Sequence, residues 1–417
     1  MKKIVIIGGG AAGLMAAVSA AQELNGTKCS ITVIEKNSRP ARKVMITCKG
    51  RCNVTNNCDM NTLIANTPKN GKFLYSAFSN FDANDTMRFY ENCGVPLKTE
   101  RGNRVFPVSD KSVDIVDALV KSVQKSCDII EGEAEAILAP NGFVTAVKLT
   151  DGRILQADCV IVATGGMSYP TTGSTGDGYK MAKALGHTIT TLTPSLVGLE
   201  CHEGFCTRLA GLSLKNVTLS VFENGKKKPL YKEMGEMLFT HTGISGPLTL
   251  SASAHLRYMD KKQYYAEIDL KPALDEAQLD KRLLRDFEES LNRDFANSLD
   301  KLLPKSIISV IINMSGIEPH TKVNQISREQ RQSLINVIKH FRLNITGFRP
   351  IEEAIITSGG ISVKEIDPTT MMSKLIGGLF FAGEIIDVDA YTGGFNLQIA
   401  FSTGVLAGES AAKYKGD

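Results

Sequence analysis

Three glycines near the start of the chain, Gly8, Gly10 and Gly13, keep the spacing G-x-G-x-x-G, with Ala11 and Ala12 between the last two. Glycines so spaced suit a pyrophosphate. The first permits a tight strand-to-helix turn, the second lets the backbone approach the ligand, and the third lets helix and strand pack closely. The following helix N-terminus offers free N–H groups and a positive dipole end. Glu35 stands 22 residues beyond Gly13. An acid at that distance can accept hydrogen bonds from an adenosine ribose and disfavours a 2′-phosphate, so NADP is not expected there. A second set is cationic. Arg42, Lys43, Lys49 and Arg51 are four cations in ten residues. They could offset a diphosphate and an anionic reduced flavin, or simply form a solvated basic loop. Proton carriers are scarcer. His241, on a Gly-rich turn, and Tyr391, just before Gly393-Gly394, are the catalytic candidates. A structural turn residue is the plain alternative for both. Cys52 is a conceivable redox thiol without a vicinal partner, or a packed cysteine.

The elements around these residues fit the motif. Lys3–Ile7 is a β-branched run, as expected of a buried parallel strand. An Ala-rich helix is expected over 14–24 and a second strand over 30–34. With strand, glycines, helix and acid all present, the motif is a dinucleotide fingerprint. It does not by itself separate FAD from NAD. Downstream, a strand is expected from Asp128 through Ala139, with Asn141-Gly142 and Asp151-Gly152 turning into two more. This three-stranded antiparallel meander feeds Cys159–Ala163, a buried strand ending in Thr164-Gly165-Gly166. That order is similar to flavoproteins of the glutathione reductase type. Thr175-Gly176-Asp177-Gly178 opens a helix to Leu185 and resembles an element of flavoproteins related to fumarate reductase; a simple helix cap is the alternative. Near the end, a strand over 378–382 leads into Gly383-Glu384. Gly393-Gly394-Phe395-Asn396-Leu397-Gln398 then opens a long helix to Lys413. In such enzymes that helix N-terminus faces the pyrimidine side of the flavin. Both ends of the chain are therefore expected to build one nucleotide site.

Composition bounds the rest. The chain has 417 residues, 43% hydrophobic and 22% charged, which excludes wholesale disorder and implies two or three domains. The formal charge of +4 is too small to make nucleic acid the expected partner. Nine cysteines without a Cys-x-x-Cys pair suit a reducing cytosol, and no metal site is expected. The N-terminus has the look of a signal peptide, but three consecutive glycines interrupt it. Residues 237–256 lack Asp, Glu, Lys and Arg, yet Gly, Pro, His and hydroxyls make a spanning helix the wrong reading. A cytoplasmic protein with no membrane partner is expected.

From 194 to 355 the α/β pattern stops. Val217, Leu219 and Val221 alternate with polar neighbours, as do Ala266, Ile268 and Leu270. Leu279, Leu283, Phe287, Leu291 and Phe295 form a helical stripe. Pro304 opens a second helix. Ser327 and Gln330 box a third, with Leu334, Ile338 and Phe341 buried. The expected architecture is thus α/β: a Rossmann-type FAD-binding domain (1–193 and 356–417) interrupted by an inserted cap domain. The insert has a β portion (194–271, 344–355) and a three-helix portion (272–343).

The segment Ala41-Arg42-Lys43 through Gly50-Arg51-Cys52-Asn53-Val54-Thr55-Asn56 carries a further signal. It resembles the glycine-rich "GRCNVTN" signature of the flavoprotein family that includes BaiN-type bile-acid reductases and an aminoacetone oxidase. Ala163–Pro170, Leu238–Pro247 and Phe380–Gln398 agree with it, so the resemblance spans essentially the whole chain. Ala41 stands where the family has Gly, and Thr47-Cys48-Lys49 replaces a Ser/Gly-rich run. The resemblance implies FAD, with Glu35 and Lys36 on the adenosine and Arg42, Lys43, Arg51, Cys52, Asn53 and Val54 by the phosphates or flavin. It also implies roles for Ala134, Thr164, Gly165, Gly383, Glu384, Gly394, Asn396, Leu397 and Gln398 in holding the cofactor. The activity it implies is an FAD-dependent oxidoreductase acting on a small molecule, by reduction of an enone-type C=C bond. NAD(P)H would be a transient donor, since only one complete fingerprint is present. A flavin oxidase using dioxygen and an FAD-containing RNA-modification protein are the alternatives.

Overall fold

The computed structural model describes residues 1–256, 258–289 and 291–416, which divide into two compact units, 1–195 with 351–416 and 196–350. The first unit begins with β1 (Lys2–Ile7), whose Ile4–Ile7 are buried, and α1 (Ala11–Glu23). Ala11 through Ala20 are all buried and all but Ser19 are apolar or glycine, as suits a helix enclosed by its own unit. Then come β2 (Cys29–Glu35), α2 (Ser112–Gln124) and β3 (Asp128–Glu131). The strand expected from 128 to 139 is two strands. Asp128–Glu131 pairs in parallel with β2, and the chain then breaks at Gly132-Glu133. The antiparallel meander is β4 (Ala134–Leu138), β5 (Ala146–Leu149) and β6 (Ile154–Gln156). Periodicity alone cannot see that division, because both halves are β-rich. β7 (Cys159–Val162) returns to the parallel sheet, and α3 (Asp177–Ala184) follows.

The second unit is a closed six-stranded antiparallel barrel with helices. Its strands are β8 (Leu199–Cys201), β9 (Ser213–Glu223), β10 (Tyr231–Phe239), β11 (Gly243–Ser245), β12 (Tyr264–Asp269) and β13 (Phe341–Phe348), paired in the order β8-β11-β10-β9-β12-β13. Its longer helices are α4 (Glu276–Glu288), α5 (Lys305–Ser315) and α6 (Arg328–Lys339). Inward residues such as Val217, Leu219, Val221, Ala266 and Ile268 pack with Leu279, Leu283, Ile311 and Leu334 in one core. Two details of the expected helices need correction. α4 stops at Glu288, so Leu291 is half exposed and Phe295 is buried from a separate short turn. Phe341 opens β13 rather than lying on α6, so the last helix ends at Lys339. The four-residue spacing continued by chance past the helix end.

The chain then returns to the first unit with β14 (Leu379–Phe381) and α7 (Phe395–Lys413). The parallel sheet runs β14-β7-β1-β2-β3. α7 packs directly on α1 through two glycines one helical turn apart. A Cβ on Gly404 would lie 2.4 Å from the Ala12 carbonyl oxygen, and one on Gly408 would lie 2.3 Å from that of Ala16. Ser19 Oγ adds a 2.7 Å hydrogen bond to the Val405 carbonyl. This register sets the first turn of α1 beside the third turn of α7, so the start of α7 runs on past it. No described helix is long and apolar enough to cross a membrane.

Candidate functional site: a dinucleotide cleft between the chain ends

The three fingerprint glycines do distinct physical work. Gly8 has φ +106°, and a Cβ there would sit 2.5 Å from the Ala163 carbonyl oxygen. Gly13 is tighter still, its Cβ position falling 1.9 Å from the Gly8 carbonyl oxygen. A Cβ on Gly10 would meet nothing within 4 Å. Gly8 and Gly13 therefore fix backbone against backbone, while Gly10 faces open space. Gly10 caps α1 without any side-chain hydrogen bond, and no acid occupies the first turn. Gly394 caps α7 in the same way. Both helices thus present free N–H groups and positive dipole ends.

These ends meet in one cleft of the first unit. Its non-atom space, open mouth included, is about 1370 Å³. Gly8, Gly10, Ala11, Ala12, Glu35, Lys36, Arg42, Lys43, Ala134, Thr164, Gly165, Gly383, Glu384, Asn396 and Leu397 all line it. Glu35 is buried at the end of β2. Its Oε2 accepts from the Gly9 N–H at 2.9 Å, and its Oε1 accepts from the Asn37 N–H and side-chain amide at 2.8 and 2.6 Å. Lys36 donates to Asp177 Oδ2 at 2.7 Å, which ties the Thr-Gly-Asp-Gly turn to the end of β2. Burial opposes the charge on Asp177, but hydrogen bonds from Lys36 and Thr175 outweigh it and hold the carboxyl below its ordinary value. Lys43 Nζ donates to Glu384 Oε2 at 2.8 Å and to Ser168 Oγ at 2.6 Å. Glu384 Oε1 in turn accepts from the Thr357 N–H at 2.8 Å. Arg42 reaches Asn37 Oδ1 at 3.1 Å. Asn396 clamps the preceding loop, accepting from the Ala390 N–H at 2.9 Å and donating to its carbonyl at 2.8 Å.

Other expected site residues lie elsewhere. Arg51 does not line the cleft. Its guanidinium binds Glu100 and Asp110, both of which raise its pKa, and stacks 4.2 Å from the Phe106 ring centroid. Lys49 is also outside the cleft. Cys52 and Val54 are buried in the unit's core. Gln398 is buried and fully engaged with Thr55, Thr86, Phe81 and Ser402. Gly394 packs its backbone on Thr55, where a Cβ would lie 2.4 Å from the carbonyl oxygen. Tyr391 is half-buried, with its backbone N–H bonded to the Asn66 carbonyl. His241 belongs to the second unit, exposed on the turn between β10 and β11. Asn37, Ser168, Thr357 and Asp177 were absent from the expected site. The Thr-Gly-Asp-Gly pattern hinted at Asp177 and the Ala163–Pro170 segment at Ser168.

Backbone strain gathers in the 41–52 segment. Ala41, Cys48, Lys49 and Cys52 all have left-handed φ, between +49° and +60°. Glycine adopts that region without penalty, while a single L-residue there costs about 1–2 kcal/mol. Burial pushes the Cys52 thiol up to about 12, so it stays protonated. Cys48 is exposed. A thiol reagent near neutral pH is expected to label Cys48 in the native protein and Cys52 only after unfolding. Equal labelling rates would contradict this placement.

The cleft fits FAD. The uncapped helix ends and the space at Gly10 suit a pyrophosphate. Thr164 Oγ1, a buried atom of a cleft-lining residue, is without a hydrogen-bond partner among the described residues, whereas Asn53, whose Oδ1 also has none, does not line the cleft. Buried polar groups are rarely left so, and a bound ligand supplies partners. Fold and cleft define an enzyme of the FAD-dependent oxidoreductase class with a Rossmann-type α/β fold. The chain belongs to the HI0933-like protein Rossmann-domain family, whose profile matches residues 2–410. It is 29% identical over 419 residues to the 3-dehydro-bile acid delta(4,6)-reductase of Clostridium scindens, covering 99% of this chain and 100% of that one. It is 27% identical to the ribosomal RNA dihydrouridine synthase of Escherichia coli, covering 96% and 95%. Among solved structures, E. coli quinol fumarate reductase FrdA superposes with a TM-score of 0.50 at 18% identity, over 99% of this chain and 71% of that one. The expectation that nucleic acid plays no part loses its support, because a full-length relative is named for ribosomal RNA.

Proposed function

We propose that this enzyme reduces a carbon–carbon double bond conjugated to a carbonyl group, with NAD(P)H as electron donor. The cleft joining both chain ends carries the reading, since it fits FAD and leaves no second complete nucleotide fingerprint for a resident NAD(P)H. The names of the two curated relatives support the reaction type. A delta(4,6)-reductase of a 3-keto substrate and a dihydrouridine synthase both add two hydrogens across a C=C bond polarised by a carbonyl. Bound FAD supplies the hydride.

The chain supplies binding, orientation and protons. The N–H groups at the starts of α1 and α7 hold negative charge. Glu35 presents a carboxylate to ribose hydroxyls, and the Lys43–Glu384 pair with Ser168 forms a fixed polar wall. A proton must reach the carbon beside the carbonyl. Tyr391 is the proposed donor, held by the Asn396 clamp on its loop. Tyr391→Phe is expected to lower kcat about 10²- to 10⁴-fold while leaving bleaching of the flavin by NAD(P)H unchanged. Equal loss of both steps would assign Tyr391 to structure instead. The reductase reading itself is tested by anaerobic photoreduction followed by mixing with cyclic enones, uridine oligonucleotides or dioxygen. Rapid re-oxidation by a C=C substrate supports it. Rapid re-oxidation by dioxygen alone would favour an oxidase.

A further inference from the structure

The second unit contains a surface that the reductase chemistry does not use. On the outer face of its barrel, Phe222 of β9 lies opposite Tyr265 of β12 in register. Their rings stack with centroids 5.0 Å apart and 9° between planes. The Arg342 guanidinium from β13 continues the column, 3.9 Å from the Tyr265 ring centroid. This end of the barrel also carries two loops. The β9–β10 hairpin loop holds Lys226, Lys227 and Lys228, all exposed. The loop before β12 holds Tyr258, which is 65% exposed at φ +60°, and exposed Lys261. Asn224 ties the two loops together, its N–H donating to the Gln263 carbonyl at 2.8 Å and its amide to Gln263 Oε1 at 3.3 Å.

Charge selects the occupant. Glu223 neutralises Lys226 and Lys262, each at 3.0 Å. Asp260 and Glu267 are the other acids at this end. Lys227, Lys228, Lys261 and Arg342 have no ion pair among the described residues and are left to face solvent. The chain's whole formal excess of +4 falls within this unit, the first being neutral. Free lysines beside a projecting tyrosine and an aromatic–arginine column match the needs of a single nucleic-acid strand. Cations track its phosphates, and ring and guanidinium faces stack on its bases. We infer that this barrel face docks single-stranded RNA. The docking does not rest on the reductase reading above.

Fluorescence anisotropy of FAD-loaded full-length protein with a labelled oligouridylate of about a dozen nucleotides tests this. Affinity is expected to fall at least tenfold between about 50 and 200 mM salt. The double variant Lys227→Ala/Lys228→Ala is expected to weaken binding about tenfold and to reduce the magnitude of the salt slope by about 1.4. Tyr258→Ala is expected to weaken it about tenfold with the slope unchanged. Reduction of a small enone should stay at the wild-type rate in these variants. No RNA binding at low salt, or binding that ignores both substitutions, overturns the docking surface. So does lysine-dependent binding of anionic vesicles that RNA fails to compete.

Discussion

Gly13→Ala is expected to cost the protein both its cofactor and much of its stability. The added methyl would sit 1.9 Å from the Gly8 carbonyl oxygen, a backbone atom that cannot swing aside. Helix α1 would have to lift off β1. Overpacking of this kind costs about 1–3 kcal/mol and occasionally more, and each kcal/mol lowers Tm by roughly 2–4 °C in a domain of this size. The larger effect falls on FAD. A shift of about 1 Å in groups that position a ligand can cost a hundredfold, so the variant should purify colourless. Gly10→Ala is the matched control. Nothing lies within 4 Å of its added methyl. The apoprotein should melt within about 2 °C of wild type, because an unstrained change is worth about 0.5 kcal/mol or less. FAD affinity should still fall, since the methyl enters the space left for the pyrophosphate. Calorimetry with cofactor titration separates the two. Equal melting temperatures for the two variants would contradict the division of roles.

The second large effect is expected at the crossing of α1 and α7. Gly404→Ala and Gly408→Ala each drive a methyl to within 2.4 Å of a carbonyl oxygen on α1. Each should destabilise by about 2–3 kcal/mol, and their effects should be less than additive because both act on one contact. Since α7 carries Asn396 and Leu397 into the cleft, FAD retention should fall with stability. A double variant that melts like the wild type and stays yellow would show that the two chain ends do not depend on close packing.

Much of this organisation was legible in the sequence because it rests on local chemistry. A β-branched run before G-x-G-x-x-G can hardly fold otherwise, and Ser327 with Gln330 forms the expected capping box. What stayed hidden depends on partners distant in the chain. Arg51 looked like a cofactor cation, but Glu100 and Asp110, 49 and 59 residues further along the chain, claim it. Gln398 sits in the right motif yet turns inward to hydroxyls and a carbonyl. The break at Gly132-Glu133 leaves β3 in the parallel sheet and β4 in the meander, a choice made by strand partners rather than by composition. Gly404 and Gly408 read as ordinary helix residues until α1 is placed against them. The aromatic–arginine column was likewise invisible, since Phe222, Tyr265 and Arg342 are joined only by barrel register.

The most direct measurement is the visible spectrum of the purified chain during anaerobic addition of NADH or NADPH, followed by a conjugated C=C substrate. The protein is expected to emerge yellow with one FAD per chain, to bleach with the nucleotide, and to recover its colour as the double bond is reduced. A colourless protein carrying tightly bound NAD in the cleft would contradict the account at its root.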